Sequence, residues 1–90
     1  MWYVYVIKSL KNGHRYTGST GDLKKRFKQH QAGKSTWTKS RGPYELIYYE
    51  ACRNEGDARQ REVYLKSGMG KRYLTNRLKG DLGIVEHESR

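Results

Sequence analysis

Trp2 to Ser9 alternates aromatic and β-branched residues, and Arg15 to Ser19 resumes an extended pattern after Asn12-Gly13, a pair that favours tight hairpin turns. A two-residue turn centred there would set Lys11 opposite His14, Ser9 opposite Tyr16 and Ile7 opposite Gly18. Tyr3, Tyr5 and Ile7 would then share a sheet face with Tyr16. From Asp22 to about Gln31 the spacing predicts a helix, capped by Asp22 or Thr20 and stopped by Gly33. Leu23 and Phe27 lie about 40° apart on its wheel and define the buried stripe. Arg26 and His30 project together from the margin of that stripe. Tyr44 to Ala51, after Gly42-Pro43, reads as a third strand whose apolar run predicts a central position in the sheet. A second helix is expected from near Asn54 to about Ser67, and a shorter third from Gly70 or Lys71 to Lys79, packing Tyr73, Leu74 and Leu78. Ala58, Glu62 and Leu65 are spaced i, i+4, i+7, which puts an acid in line with the apolar stripe of the second helix.

Ninety residues hold one modest core. We read residues 1–80 as the domain and 81–90 as a C-terminal tail. Val, Ile, Leu and Phe number only 15 of 90, a fraction seen in disordered chains, but eight Tyr and two Trp supply the missing apolar area. Nineteen basic residues against nine acids give a net charge of +10, which points to a polyanionic partner. The excess is local: residues 8–41 carry ten Lys and Arg with Asp22 as the single acid, and residues 64–80 carry five with none. Lys24, Lys25, Lys28, Lys34, Lys39 and Arg41 are the candidate phosphate contacts. A lone cysteine, Cys52, excludes an internal disulfide and a zinc finger, and favours a reduced, cytoplasmic setting. The longest apolar run is too short for a transmembrane helix, and neither main helix pairs a wide apolar face with its positive one, so no membrane role is expected.

Four kinds of residue could carry chemistry. Glu62, an acid on the inward side of a helix, is either ion-paired with Arg59, Arg61 or Arg72 or a hard-oxygen ligand for one Mg²⁺. Tyr5 and Tyr16 are either strand aromatics or, ionised beside Arg⁺ or metal-bound water, a general base; a tyrosine nucleophile is the other chemical option. Arg26 could stabilise charge on a phosphoryl group, and His30 could orient a water or protonate a leaving group. A non-catalytic basic module that stacks bases on Tyr3, Trp37 or Tyr44 remains the rival reading.

Tyr3-Val4-Tyr5, Tyr16-Thr17-Gly18, Arg26, His30 and Glu62, in this order and spacing, resemble the GIY-YIG nuclease family, small stand-alone bacterial members above all. The resemblance runs from about residue 2 to 79. It implies a small α/β (α+β) domain, a three-stranded antiparallel sheet flanked by about three helices, that cuts DNA with one divalent ion, Mg²⁺ or Mn²⁺. It further implies a catalytic tyrosine pair in Tyr5 and Tyr16, phosphoryl stabilisation by Arg26, proton transfer assisted by His30, metal binding by Glu62 and close backbone–phosphate approach at Gly18. Asn76 and Lys39 match later polar positions of some members. The chain departs from the family pattern at Tyr3, Val4 and Thr17, all read here as sheet-packing positions. With no appended recognition domain, a monomer that reads single strands or DNA structure, or takes its targeting from a partner protein, is the expectation, in DNA repair, recombination or processing.

Overall fold

A computed structural model describes residues 1–34 and 38–80. The chain runs β1 (Trp2–Ser9), β2 (Arg15–Thr20), α1 (Leu23–Gln31), β3 (Tyr44–Cys52), α2 (Glu55–Lys66) and α3 (Gly68–Arg77). The three strands form one antiparallel sheet in the order β2-β1-β3. Trp37 and the residue 81–90 tail lie outside the described residues.

β1 is central because Val4, Tyr5, Val6 and Ile7 are buried in succession, which only a strand covered on both faces allows. The expectation of a central β3 is thereby corrected. Its apolar run is interrupted by Glu45, Tyr49 and Ala51, all exposed, and it sits at an edge. Tyr5, Ile7 and Tyr44 pack with Leu23 and Phe27 of α1 on one face. Val4 and Val6 pack with Ala58 and Leu65 of α2, Leu74 of α3 and Leu78 on the other. A bulge falls where the β1–β3 register shifts between Val6 and Ile7, so Ile47 is the extra residue on β3. Leu46 and Tyr44 thereby face α1, while Ile47 and Tyr48 pack toward α2 and α3.

The hairpin register also differs from the expected one. Ile7 pairs with Tyr16, and Tyr5 with Gly18. Ser9 is the reason: its buried hydroxyl accepts from the backbone N–H of Lys11 (3.1 Å) and Asn12 (3.3 Å), and the Ser9 and His14 backbones close around a four-residue turn. Gly13 supplies the positive φ of +78°. A shift of two residues keeps side-chain parity, so Tyr3, Tyr5 and Ile7 still share a face with Tyr16.

Asp22 caps α1 by accepting from Lys25 N–H, and Asn54 caps α2. α3 starts earlier than the sequence suggests, at Gly68, because Ser67 serves as its N-cap. Gly70 makes the α2–α3 crossing: a Cβ there would lie 1.9 Å from the Tyr64 carbonyl oxygen.

Candidate active site

The site is built around β2. Gly18 lies opposite Tyr5, and its missing side chain is the space that the Tyr5 ring occupies: a Cβ would stand 2.6 Å from the phenol oxygen and 2.8 Å from Cζ. The open backbone expected to meet phosphate at Gly18 is therefore filled by Tyr5. Across the glycine the phenol reaches α1, where its oxygen lies 2.6 Å from His30 Nε2. Both residues are buried, Tyr5 1% and His30 0% exposed. Tyr16, half-buried on the same face, closes the group with ring centroids 6.4 Å from Tyr5 and 5.3 Å from His30.

Burial sets the protonation states. It pushes the Tyr5 phenol up to about 12, against the hydrogen bond from Arg26, with the nearby charge of Glu62 adding to the rise. Burial, with the positive charge of Arg26, lowers His30 to about 4. At neutral pH both groups are uncharged. We assign the phenol hydrogen to His30 Nε2 and the phenol lone pairs to Arg26, which leaves the imidazole proton on Nδ1, a buried atom without a hydrogen-bond partner. One expectation is corrected: His30 lies beneath the tyrosines rather than at the margin of the core. In the protein by itself His30 is a neutral imidazole and Tyr5 a phenol.

Ser19, the neighbour of Gly18, points to the opposite face and donates to Glu62 Oε1 at 2.6 Å. Lys66, one turn further along α2, donates to Oε2 at 2.7 Å. The paired cation is thus Lys66, not Arg59, Arg61 or Arg72. Arg59 binds Glu55, and Arg61 is held by Glu50 between the rings of Tyr64 and Tyr73. Burial favours the neutral form of the Glu62 carboxyl, but the hydrogen bonds from Lys66 and Ser19 hold it below the usual carboxylate range. Lys66 also lies 6.0 Å from the centre of the Tyr16 ring, so the groups on the two faces meet around the β2 edge.

Among the described residues no three His, Cys, Asp or Glu side chains converge. A protein-only metal cage is therefore absent from this region. A single ionised carboxylate does suit Mg²⁺, which keeps most of its waters and takes further oxygens from phosphate. Both oxygens of Glu62 are engaged, Oε1 by Ser19 and Oε2 by Lys66, so an ion held there would take the place of the Lys66 ammonium.

Lys24, Lys25, Lys28 and Lys34 line one exposed groove on the outside of α1, and Lys25 also borders a hollow with Arg26. Lys39 is exposed beside Gly33, and the Arg41 carbonyl accepts from Ser9 Oγ at the hairpin end of the sheet. Asn76 is exposed on the last turn of α3, with no hydrogen bond to the cluster among the described residues. Tyr44, expected as an exposed stacking platform, is 3% exposed, and its hydroxyl donates to the Thr38 carbonyl. Sequence reasoning missed Ser19 and Lys66. The i, i+4 spacing of Glu62 and Lys66 was a readable signal, whereas Ser19 required the strand to be docked on α2.

Comparison with known proteins identifies the family. The chain is 43% identical over 67 residues to the UPF0213 protein CPE1444 of Clostridium perfringens, spanning 73% of this chain and 71% of that one. It is 35% identical over 65 residues to the UPF0213 protein OB0043 of Oceanobacillus iheyensis, covering 71% and 74%. The solution NMR structure of the UPF0213 protein BH0048 from Bacillus halodurans superposes with a TM-score of 0.51 at 35% identity, over 84% of each chain. Residues 1–76 match the GIY-YIG catalytic domain, and the chain belongs to the GIY-YIG family.

Proposed function

We propose that this protein is a divalent-metal-dependent endonuclease that hydrolyses DNA phosphodiester bonds. The carrying observation is the meeting at the β2 edge of a neutral Tyr5–His30 pair, a guanidinium and an ionised carboxylate. Arg26 stabilises negative charge developing on the phosphoryl oxygens. The Tyr5 oxygen accepts a proton from the attacking water while its own passes to His30 Nε2, so no phenolate has to form in the buried site. Tyr16, the more exposed phenol, orients the strand or the water at the mouth. Glu62 would hold one Mg²⁺ or Mn²⁺, which supplies polarisation of a phosphoryl oxygen and a more acidic water.

The basic groove outside α1 guides the DNA backbone. The test is a cleavage time course on labelled single-stranded, duplex and branched DNA, with Mg²⁺ or EDTA, for wild type and Glu62→Ala. Metal-dependent cutting that disappears in a folded, DNA-binding Glu62→Ala supports the reading. Binding to all three substrates without cutting overturns it in favour of a binding module.

A further inference from the structure

On the far side of β2 from His30, a cavity of about 300 Å³ opens between the strand edge and the α2–α3 junction. It has room for about ten waters, enough for a phosphodiester. Arg15, Lys66 and Lys71 line it together with Tyr16 and Thr17, and no acid does. Arg15 heads β2 on the face toward α2 and α3, opposite another cation, Lys8, on β1. Its Nη1 is buried and has no hydrogen-bond partner, one of two such side-chain atoms among the described residues. Arg15 itself lines the cavity, and a guanidinium presents its N–H groups in a fork that matches an oxyanion. Lys66 connects this cavity to the reaction site, since its ammonium binds Glu62 and lies over Tyr16.

We propose that this cavity is a second phosphate subsite, in which Arg15 and Lys71, with Lys66 at the rim, hold a backbone phosphate of the strand next to the one placed for cutting. The inference rests on the nuclease reading for its ligand and deepens it. Arg15 and Lys71 fall outside the α1 groove, so they set the path of the strand around the β2 edge rather than its approach.

The test is binding of a labelled single-stranded oligonucleotide in EDTA, followed by anisotropy across a salt series, for wild type, Arg15→Gln and Lys71→Gln. Arg53→Gln, an exposed cation in the turn after β3, controls for the loss of one charge elsewhere. Each cavity variant should weaken binding about tenfold and reduce the salt slope by about 0.7, while Arg53→Gln stays near wild type. Oligonucleotides bearing one neutral methylphosphonate should show a position at which wild type loses affinity and Arg15→Gln loses nothing more. Cavity variants indistinguishable from Arg53→Gln, or losses that add at every position, overturn the subsite. Lys71 is exposed, so its variant keeps the test decisive if Arg15→Gln disturbs the strand. Adding Mg²⁺ separates the two readings. Cutting by wild type with control-like cavity variants rejects the subsite alone, whereas cavity-dependent binding with no cutting rejects the nuclease alone.

Discussion

The uncharged state of His30 is a consequence of where α1 places it, and it has a measurable signature. A histidine at about 6.5 in the unfolded chain and about 4 in the folded one contributes stability in full above pH 6.5 and loses it as pH falls toward 4. For so buried a group the loss is roughly 3 kcal/mol. Urea unfolding between pH 7.5 and 4.5 should therefore show a decline that His30→Gln flattens. The carboxyls of Glu50 and Glu62, both held low in the folded state, add their own losses only at more acid pH. An unchanged slope in His30→Gln would reject a buried neutral imidazole. Tyr5→Phe removes the single hydrogen bond seen on the imidazole and leaves a buried ring nitrogen bare, at a cost of about 1–3 kcal/mol. Cleavage by that variant should fall about a hundredfold or more, with binding nearly intact. The residue types of the cluster were legible in the sequence, because both triplets, Arg26, His30 and Glu62 stand at readable spacings. Their protonation was not, since burial fixes it and no sequence spacing reports burial.

Two glycines carry the architecture at the scale of elements, for opposite reasons. At Gly18 the obstructing atoms belong to a side chain, so Gly18→Ala should push the Tyr5 ring away from His30 and impair cleavage more than folding. At Gly70 they belong to the backbone of α2, at 1.9 Å for Tyr64 O and 2.4 Å for Leu65 Cα, and backbone has nowhere to go. Gly70→Ala should separate α3 from α2 at a cost of about 3 kcal/mol, read as a lowered urea midpoint. A midpoint within experimental error of wild type would show that the crossing relaxes freely. The helices themselves were legible because caps and apolar spacing are local. The rank of the strands was not: β3 has enough apolar residues to pass for a centre strand, and only the docking of α1 and α2 on opposite faces of β1 decides otherwise. The hairpin turn was misplaced for a similar reason, since the Ser9 hydroxyl outcompetes the Asn12-Gly13 signal by accepting two backbone N–H groups.

For the molecule as a whole, a charge of +10 on 90 residues makes affinity for a polyanion strongly salt-dependent. Replacing Lys24, Lys25 and Lys28 together with Gln should reduce the salt slope of DNA binding by about 2 to 3, while cutting at saturating DNA changes little. Loss of cutting at saturation would place those lysines in the chemistry instead. Among the described residues no helix is long and apolar enough to cross a membrane, and the basic groove on α1 is exposed for a ligand in water.

By itself the sequence determined the number and kind of the elements, the face shared by Tyr5 and Tyr16, the charge and the family, because periodicity, caps and motif spacing are carried by neighbours along the chain. Only the tertiary structure decided that β1 is central, that Lys66 rather than an arginine meets Glu62, that Gly18 makes room for Tyr5, and that Arg15 shares a cavity with Lys66 and Lys71. Each of these depends on which surfaces bury one another, and desolvation, the force that sets both partner choice and protonation, acts between residues far apart in sequence.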